Sequence, residues 1–475
     1  MRRALGVVTG LAAGLAAALA PISPADAENG GGGGIDVAFI GDGGVELHGT
    51  VITPPGAQGR HPAMVMLEGA GNRGRDYLRT EAEAYARRGV VTLIYDKRKT
   101  GYSLIHRDYS VLADDALAGL RLLRDRPDVD PVRLGMWALS EGAWVAPIAA
   151  NRSNDVKFLI TVGGVGTTPD AQTAWGYNEY LRHAGVTAAA SSALRTDVLP
   201  AAIAAGLFPE HDFDATPEWR RVRQPVLAEW GELDRDSVPA QSQKIIGEAL
   251  TAGGNGQYKT RIVPGLNHNL HVTAAEGFDR QPQVPDDYGS VETTWIETGQ
   301  MTGSNVTPAS NSSAETIVTA PWYHRPWPLV AMTVLLLAGF LVAPVRRRTS
   351  VRYTRSRSSS RAAASSLTAT GRIRPVWPLR TLAVTGPVVV AGTLLYLMFL
   401  LATAGKVIGP LLLGRPLPWL ALELLTVATA AAGITAAVSW WRNGRPERSR
   451  VRLGVAVAAA VLLVPWVASW GLLSP

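Results

Sequence analysis

Four apolar stretches crowd into the last third of the chain, at 328–345, 379–405, 417–441 and 453–473. A bilayer core is crossed by a helix of about 20 mostly apolar residues. A single such run would suit a buried core helix, but four with only short polar segments between them specify membrane spans. Trp322, Trp327, Trp377, Trp419, Trp440, Trp441 and Trp470 fall near their ends, where amphipathic indoles sit at the headgroups. The first connection carries Arg346, Arg347, Arg348, Arg352, Arg355, Arg357, Arg361, Arg372 and Arg374, and the third carries Arg442, Arg445, Arg448, Arg450 and Arg452. The second holds only Lys406 and Arg415. Cytoplasmic loops are the ones that collect arginine, so everything before the first span is expected outside the cytoplasm. Glu423 lies inside the third span, where a carboxylate is a functional candidate by default; its closeness to the span's start makes interfacial exposure the competing reading. Charges are otherwise scarce at the span centres, which argues against ion or proton coupling and for an anchor.

The N-terminus gives the same orientation. Arg2 and Arg3 precede an apolar run from Ala4 to Ala20, and Ala25-Asp26-Ala27 is a small-residue cleavage site, so 1–27 reads as a secretory signal. An uncleaved anchor is the alternative. The chain's net charge of +7 would suggest a nucleic-acid partner were it spread evenly. Between Glu28 and Arg325, however, 27 basic residues face 36 acidic ones, and no basic stripe is left to grip phosphates. No nucleic-acid partner is expected. There is no cysteine, which excludes disulfides, thiolate metal sites and a cysteine nucleophile.

From residue 35 to 297 the chain alternates short β-rich runs with helical patterns. Ile35–Ile40 and Val45–Thr53 form an expected hairpin around Gly41-Asp42-Gly43-Gly44. Runs at 63–67, 90–95, 132–139, 158–162, 226–230 and 258–263 follow, separated by helical segments at 77–88, 112–124, 144–150 and 241–250. Near-continuous apolar strands between amphipathic helices predict an α/β architecture, a mostly parallel sheet covered on both faces. Between 166 and 224 no strand signal appears, and the helix-prone segments 170–183 and 187–205 predict a helical cap. A helix is expected over 287–296. The Thr-, Ser-, Gly- and Asn-rich stretch that follows, to 327, reads as a flexible linker.

The chemistry is carried by three loops. Leu134-Gly135-Met136-Trp137-Ala138-Leu139-Ser140-Glu141-Gly142 is a β-run that ends in small-x-Ser-x-small and passes into a helix. Such a turn exposes a serine hydroxyl above the sheet, and it needs small residues two positions either side. Downstream, Val226–Trp230 leads to Gly231-Glu232-Leu233-Asp234, and Arg261-Ile262-Val263 leads to Pro264-Gly265-Leu266-Asn267-His268. Serine is a poor nucleophile until a histidine takes its proton, and an aspartate fixes that histidine's tautomer. The order Ser140, Asp234, His268 supplies all three. Asp236 is the alternative acid and His271 the alternative base, each displaced from the strand end. The glycine-rich loop Leu67-Glu68-Gly69-Ala70-Gly71-Asn72-Arg73-Gly74 follows a strand and is suited to an oxyanion hole. The expected donors are the amides of Ala70, with Gly71 as second choice, and of Glu141.

Together these segments resemble the α/β-hydrolase superfamily, and more narrowly bacterial members related to serine aminopeptidases, dienelactone hydrolases and acyl-peptide hydrolases. The similarity covers Ile35 to Ile296 and includes Gly69 to Asp76 and Tyr95 to Ser103, a segment similar to a family loop lining the approach to the site. Glu68 stands where such proteins usually have histidine, and Ala138 and Ala143 stand where glycine is usual. The added membrane part resembles membrane-anchored serine hydrolases of high-GC bacteria. The resemblance implies acyl transfer to water without metal or organic cofactor, on a small-molecule or lipid-like acyl ester or thioester. A peptide substrate is the runner-up, and a non-catalytic sensor or binding module is the rival from another class. The expected location is the cell membrane, multi-pass, with the hydrolase domain outside.

Overall fold

Alternate residues of a strand face opposite sides of its sheet, and both sides of this sheet are apolar. In a computed structural model of the chain, residues 34–342, 377–442 and 447–473 are described, apart from positions 57, 104, 302 and 311. The expected signal segment and the first arginine-rich connection lie outside them. Strand β3 (His61–Leu67) sends Val65 and Leu67 to one face and Met64 and Met66 to the other. The first pair packs under helices Tyr109–Arg124 and Gly142–Arg152, the second under Arg79–Ala86 and Ser290–Thr298.

The other strands are β1 (Gly34–Ile40), β2 (Glu46–Ile52), β4 (Val91–Tyr95), β5 (Val129–Leu139), β6 (Leu159–Val162), β7 (Val226–Gly231) and β8 (Tyr258–Val263). They form one eight-stranded sheet in the order β1-β2-β4-β3-β5-β6-β7-β8. β1 pairs antiparallel with β2, and β2 antiparallel with β4; every pair from β4 to β8 is parallel. This mostly parallel sheet with helices on both faces matches the α/β-hydrolase fold. The C-terminal ends of β3, β5, β7 and β8 lie along one edge, where ligand crevices open in such sheets.

Between β6 and β7 the chain forms helices at Pro169–His183, Ala188–Ala193, Leu199–Ala204 and Thr216–Arg221, with a π-helical turn at Leu194–Val198. The stretch read as a flexible linker behaves differently over much of its length. Val306 N donates to Ile262 O at 3.2 Å, Ile262 N to Asn305 Oδ1 at 2.8 Å and Ala309 N to Glu232 O at 2.8 Å. Composition foretold solvation, but the outer edge of β8 offers unpaired backbone groups, and this segment covers them.

The apolar stretches of the C-terminal part are helical. Three are long enough to cross a membrane: Trp377–Ala402, Leu417–Ser439 and Val451–Ser469. The expected first span is a shorter helix, Pro326–Leu341, of 16 residues, and its expected end at 345 lies outside the described residues. Three helices therefore have the length and apolarity of a span where four were expected. The four helices share one apolar cluster, in which Phe340, Leu382, Val389, Ala432, Ala456 and Val467 are fully buried. The same cluster takes in Leu181, Val186, Leu194, Val198 and Ala201 from the helical insertion, so the insertion is packed on the membrane-type helices. Glu423 is paired with Arg415 at 2.5 Å.

Candidate active site

Ser140 follows β5 directly and has φ +52°, a left-handed conformation costing a non-glycine residue about 1–3 kcal/mol. Ser140 N donates to Val162 O and Ala143 N to Ser140 O, both at 2.9 Å, and these bonds hold the turn. The need for small neighbours is visible in the contacts. A β-carbon on Gly142 would come to 3.0 Å of Leu67, and Ala138 is fully buried between β3 and β6. The alanine methyl is accommodated there, so its substitution for the usual glycine leaves the turn intact.

Asp234, in the turn after β7, is fully buried, and its Oδ2 lies 2.9 Å from His268 Nδ1. Its other bonds come from Asp236 N at 2.8 Å, Ser237 N at 3.0 Å and the Ser237 hydroxyl at 2.5 Å. With a proton on Nδ1, the opposite nitrogen of His268 is left as a base. The histidine loop is tied by Asn267, whose Oδ1 accepts from the amides of Asn269 and His271, both at 3.0 Å. Burial works against the charged form of His268. The charge and hydrogen bond of Asp234, followed by the charge of Asp236, outweigh it and raise the pKa, against an opposing push from Lys406.

Gly163 packs on the ring. It has φ +57°, and a β-carbon there would lie 2.5 Å from the imidazole of His268. The preceding residue, Val162, accepts the Ser140 amide. No hydrogen bond joins Ser140 Oγ to the ring among the described residues.

The two alternatives are placed elsewhere. Asp236 turns to Tyr180 OH at 3.3 Å and Lys406 Nζ at 3.5 Å. His271 is fully buried with both nitrogens engaged: Nε2 lies 2.7 Å from Glu81 Oε1, and Nδ1 lies 2.8 Å from Gln281 O. Glu81 also takes Arg280 at 2.9 Å. His271 therefore anchors its loop to the helix Arg79–Ala86 and has no face left for a substrate.

Gly69 packs so closely that a β-carbon on it would lie 3.2 Å from that of Ser140. Of the loop's amides, Gly71 N is engaged by Tyr102 OH at 3.0 Å. The amides of Ala70 and Glu141 have no hydrogen-bond partner among the described residues, which suits the pair expected as oxyanion donors.

A charged network behind this loop escaped the sequence reading. Lys97 Nζ donates to Gly69 O at 2.6 Å and to Glu141 Oε1 at 2.8 Å, Tyr102 OH donates to Glu141 Oε1 at 2.7 Å, and Arg107 pairs with Glu141 Oε2 at 3.0 Å. Burial pushes the Glu141 carboxyl up, but the charges of Lys97 and Arg107 prevail and hold its pKa below the usual range. Through Lys97 and Tyr102 the Tyr95–Ser103 segment braces the glycine-rich loop at Gly69 and Gly71. The available signal was a carboxylate directly after Ser140 with Lys97, Tyr102 and Arg107 clustered upstream. Glu68, the departure from the family's usual histidine, folds back inside the loop, where Arg73 N donates to it at 3.0 Å and Arg73 Nε at 3.3 Å. Burial raises its pKa despite Lys97 and Arg73.

No family model matches the chain. It is 30% identical over 127 residues to the polyketide transferase claH of Penicillium crustosum, a match that covers 26% of this chain and 41% of that protein, so it spans less than half the length of that relative. Among solved structures it is similar to a puromycin-hydrolysing peptidase of Mycobacterium tuberculosis, with TM-score 0.40 and 18% identity over 58% of this chain and 40% of that one. It is also similar to dipeptidyl peptidase 4 of Porphyromonas gingivalis, with TM-score 0.39 and 15% identity over 56% of this chain and 35% of the other. A third is the dienelactone hydrolase of Anabaena variabilis, with TM-score 0.36 and 17% identity over 56% of this chain and 97% of that one. The fold is assigned on the sheet order and on the turn at Ser140.

Proposed function

We propose that the chain is a serine hydrolase held at the membrane by its C-terminal helices, with the α/β domain outside the cytoplasm, cleaving acyl esters or thioesters. The observation that carries this reading is the left-handed Ser140 at the end of β5, with His268, packed on Gly163, bonded through Nδ1 to buried Asp234. Ser140 Oγ attacks the acyl carbon while His268 Nε2 takes its proton. The amides of Ala70 and Glu141 hold the oxyanion, and collapse expels the alcohol, or the thiol of a thioester, protonated by His268. Water, deprotonated by the same ring, then releases the acyl group from Ser140. Peptide amides are the second substrate class for the same chemistry. The outside location is supported by the arginine distribution and by the signal-like N-terminus.

The test is fluorophosphonate labelling of the full chain in detergent beside Ser140→Ala, followed by turnover of short and long acyl esters and aminoacyl amides. Labelling lost in the variant is the expected result, and the ester-to-amide ratio then fixes the bond type. Folded protein that neither labels nor turns over would favour a binding module.

A further inference from the structure

The loop between the second and third apolar helices reaches the active site. Helix Trp377–Ala402 ends in a tight turn in which Ala404 and Gly405 are both left-handed, with φ +52° and +69°, and Gly405 N bonds Leu400 O at 2.9 Å. That turn presents Lys406. Its ammonium lies 3.5 Å from Asp236 Oδ1 and 4.4 Å from the centre of the Tyr180 ring, whose hydroxyl also bonds Asp236. The contact belongs to a continuous seam: Tyr177 OH donates to Leu401 O at 2.9 Å, and Thr187 N to Gly414 O at 3.0 Å. Asp236 in turn gives its amide to Asp234 Oδ1 at 2.8 Å.

We propose that Lys406 is a positioning residue of the active site, clamping the loop that bears Asp234 and offsetting the charge of Asp236 beside His268, so that the membrane part completes the site. This rests on His268 being the base. The charged groups acting on His268 are Asp234 and Asp236 from the acid loop and Lys406 from the membrane part. Lys406 and His268 together hold the Asp236 carboxyl below the usual range against the effect of burial, and without Lys406 the charge of His268 and the hydrogen bond of Tyr180 still favour its ionised form. The two side chains therefore act on the imidazole as an opposed pair. Removing the cation alone leaves a net negative charge near the ring, which favours the imidazolium and withdraws the base. Surface ion pairs contribute little stability, and with Asp236 and Lys406 both partly exposed the consequence falls on His268 more than on folding.

The experiment uses the full chain in lipid nanodiscs with ring-labelled histidine, the His268 resonance being assigned by its loss in His268→Gln. Its titration is followed by NMR, and fluorophosphonate labelling is followed against pH in parallel. Lys406→Met is expected to raise the His268 midpoint by about half a unit, and so to slow labelling below pH 6 about threefold. Lys406→Arg is expected to keep the wild-type profile, and Lys406→Met/Asp236→Asn to return close to it. Asp236→Asn alone, the variant to use if Lys406→Met fails to fold, leaves the cation unopposed and shifts the midpoint down. Unchanged midpoints in both single variants, or shifts of the same sign, would overturn the proposal. Wild type that titrates as described but does not label would instead count against the serine-hydrolase reading, which keeps the two failures apart.

Discussion

Lys97 Nζ lies 2.8 Å from Glu141 Oε1, and both side chains are shut away from solvent. Because Lys97 also holds Gly69 O, this one ammonium ties the loop bearing Ala70 to the residue that follows Ser140. The two amides proposed to share an oxyanion thus have their spacing fixed from behind. Removing one partner of a buried pair leaves an uncompensated charge, at a cost of about 3–5 kcal/mol. Glu141→Gln strips the countercharge from both Lys97 and Arg107 and is expected to cost that much. Lys97→Met leaves Arg107 on the carboxylate and is expected to cost less, while slowing labelling of the folded protein by at least tenfold. Denaturation midpoints compared with labelling rates check both effects, and a Lys97→Met variant with normal labelling would remove Lys97 from this role.

Acid should find the same network. Glu141 and Glu81 both have pKa values below the ordinary carboxylate range: burial is outweighed by the charges of Lys97 and Arg107 at Glu141, and by the hydrogen bond of His271 and the charge of Arg280 at Glu81. A carboxylate depressed in the folded state adds stability above its unfolded pKa, about 4.3, and that stability is lost as pH falls through the folded value. Tryptophan fluorescence of the full chain is expected to report a midpoint that holds from neutral pH to about pH 4.5 and drops below it. Glu81→Gln is expected to flatten that drop.

His271 separates a structural histidine from a chemical one. It is fully buried between Glu81 and Gln281 O, so His271→Ala leaves a buried carboxylate short of one partner. A loss of about 2–4 kcal/mol is expected, with the folded fraction still labelled. His268→Ala is expected to abolish labelling with a smaller loss of midpoint, since buried Asp234 keeps its bonds from Asp236 N, Ser237 N and Ser237 Oγ. The reverse pattern would exchange the two assignments.

The three loops were readable because each is local: a strand end followed within a few residues by Ser140, Asp234 or His268. The sheet and its covering helices were readable because β3, β4, β6 and the second half of β5 are apolar on both faces. What escaped depends on residues far apart in the chain. Lys97 and Glu141 are 44 positions apart, and no periodicity links them. The linker was misread because Asn305, Val306 and Ala309 look like any polar tail until the edge of β8 is beside them. The first span was overestimated because hydropathy gives the length of an apolar run and not where its helix begins and ends. Lys406, counted only as one of two cations in a short loop, acquires its meaning from the fold that brings it to Asp236.

Gly163 gives the sharpest test of whether the imidazole must sit where it does. A β-carbon there would meet the ring at 2.5 Å, and at φ +57° alanine is strained besides. Val162, bonded to the serine amide, gives the Gly163 backbone no room to retreat. The β-carbon would also lie 2.8 Å from His268 O, so the ring and the backbone of His268 must both shift, while Asp234 keeps its bonds from Asp236 N, Ser237 N and Ser237 Oγ. Misplacement of about 1 Å in a reacting group costs on the order of a hundredfold in rate. Gly163→Ala is accordingly expected to slow fluorophosphonate labelling by about that factor, while the denaturation midpoint falls by only about 1–3 kcal/mol. Equal labelling rates in variant and wild type would mean that His268 does not act on Ser140 from this position.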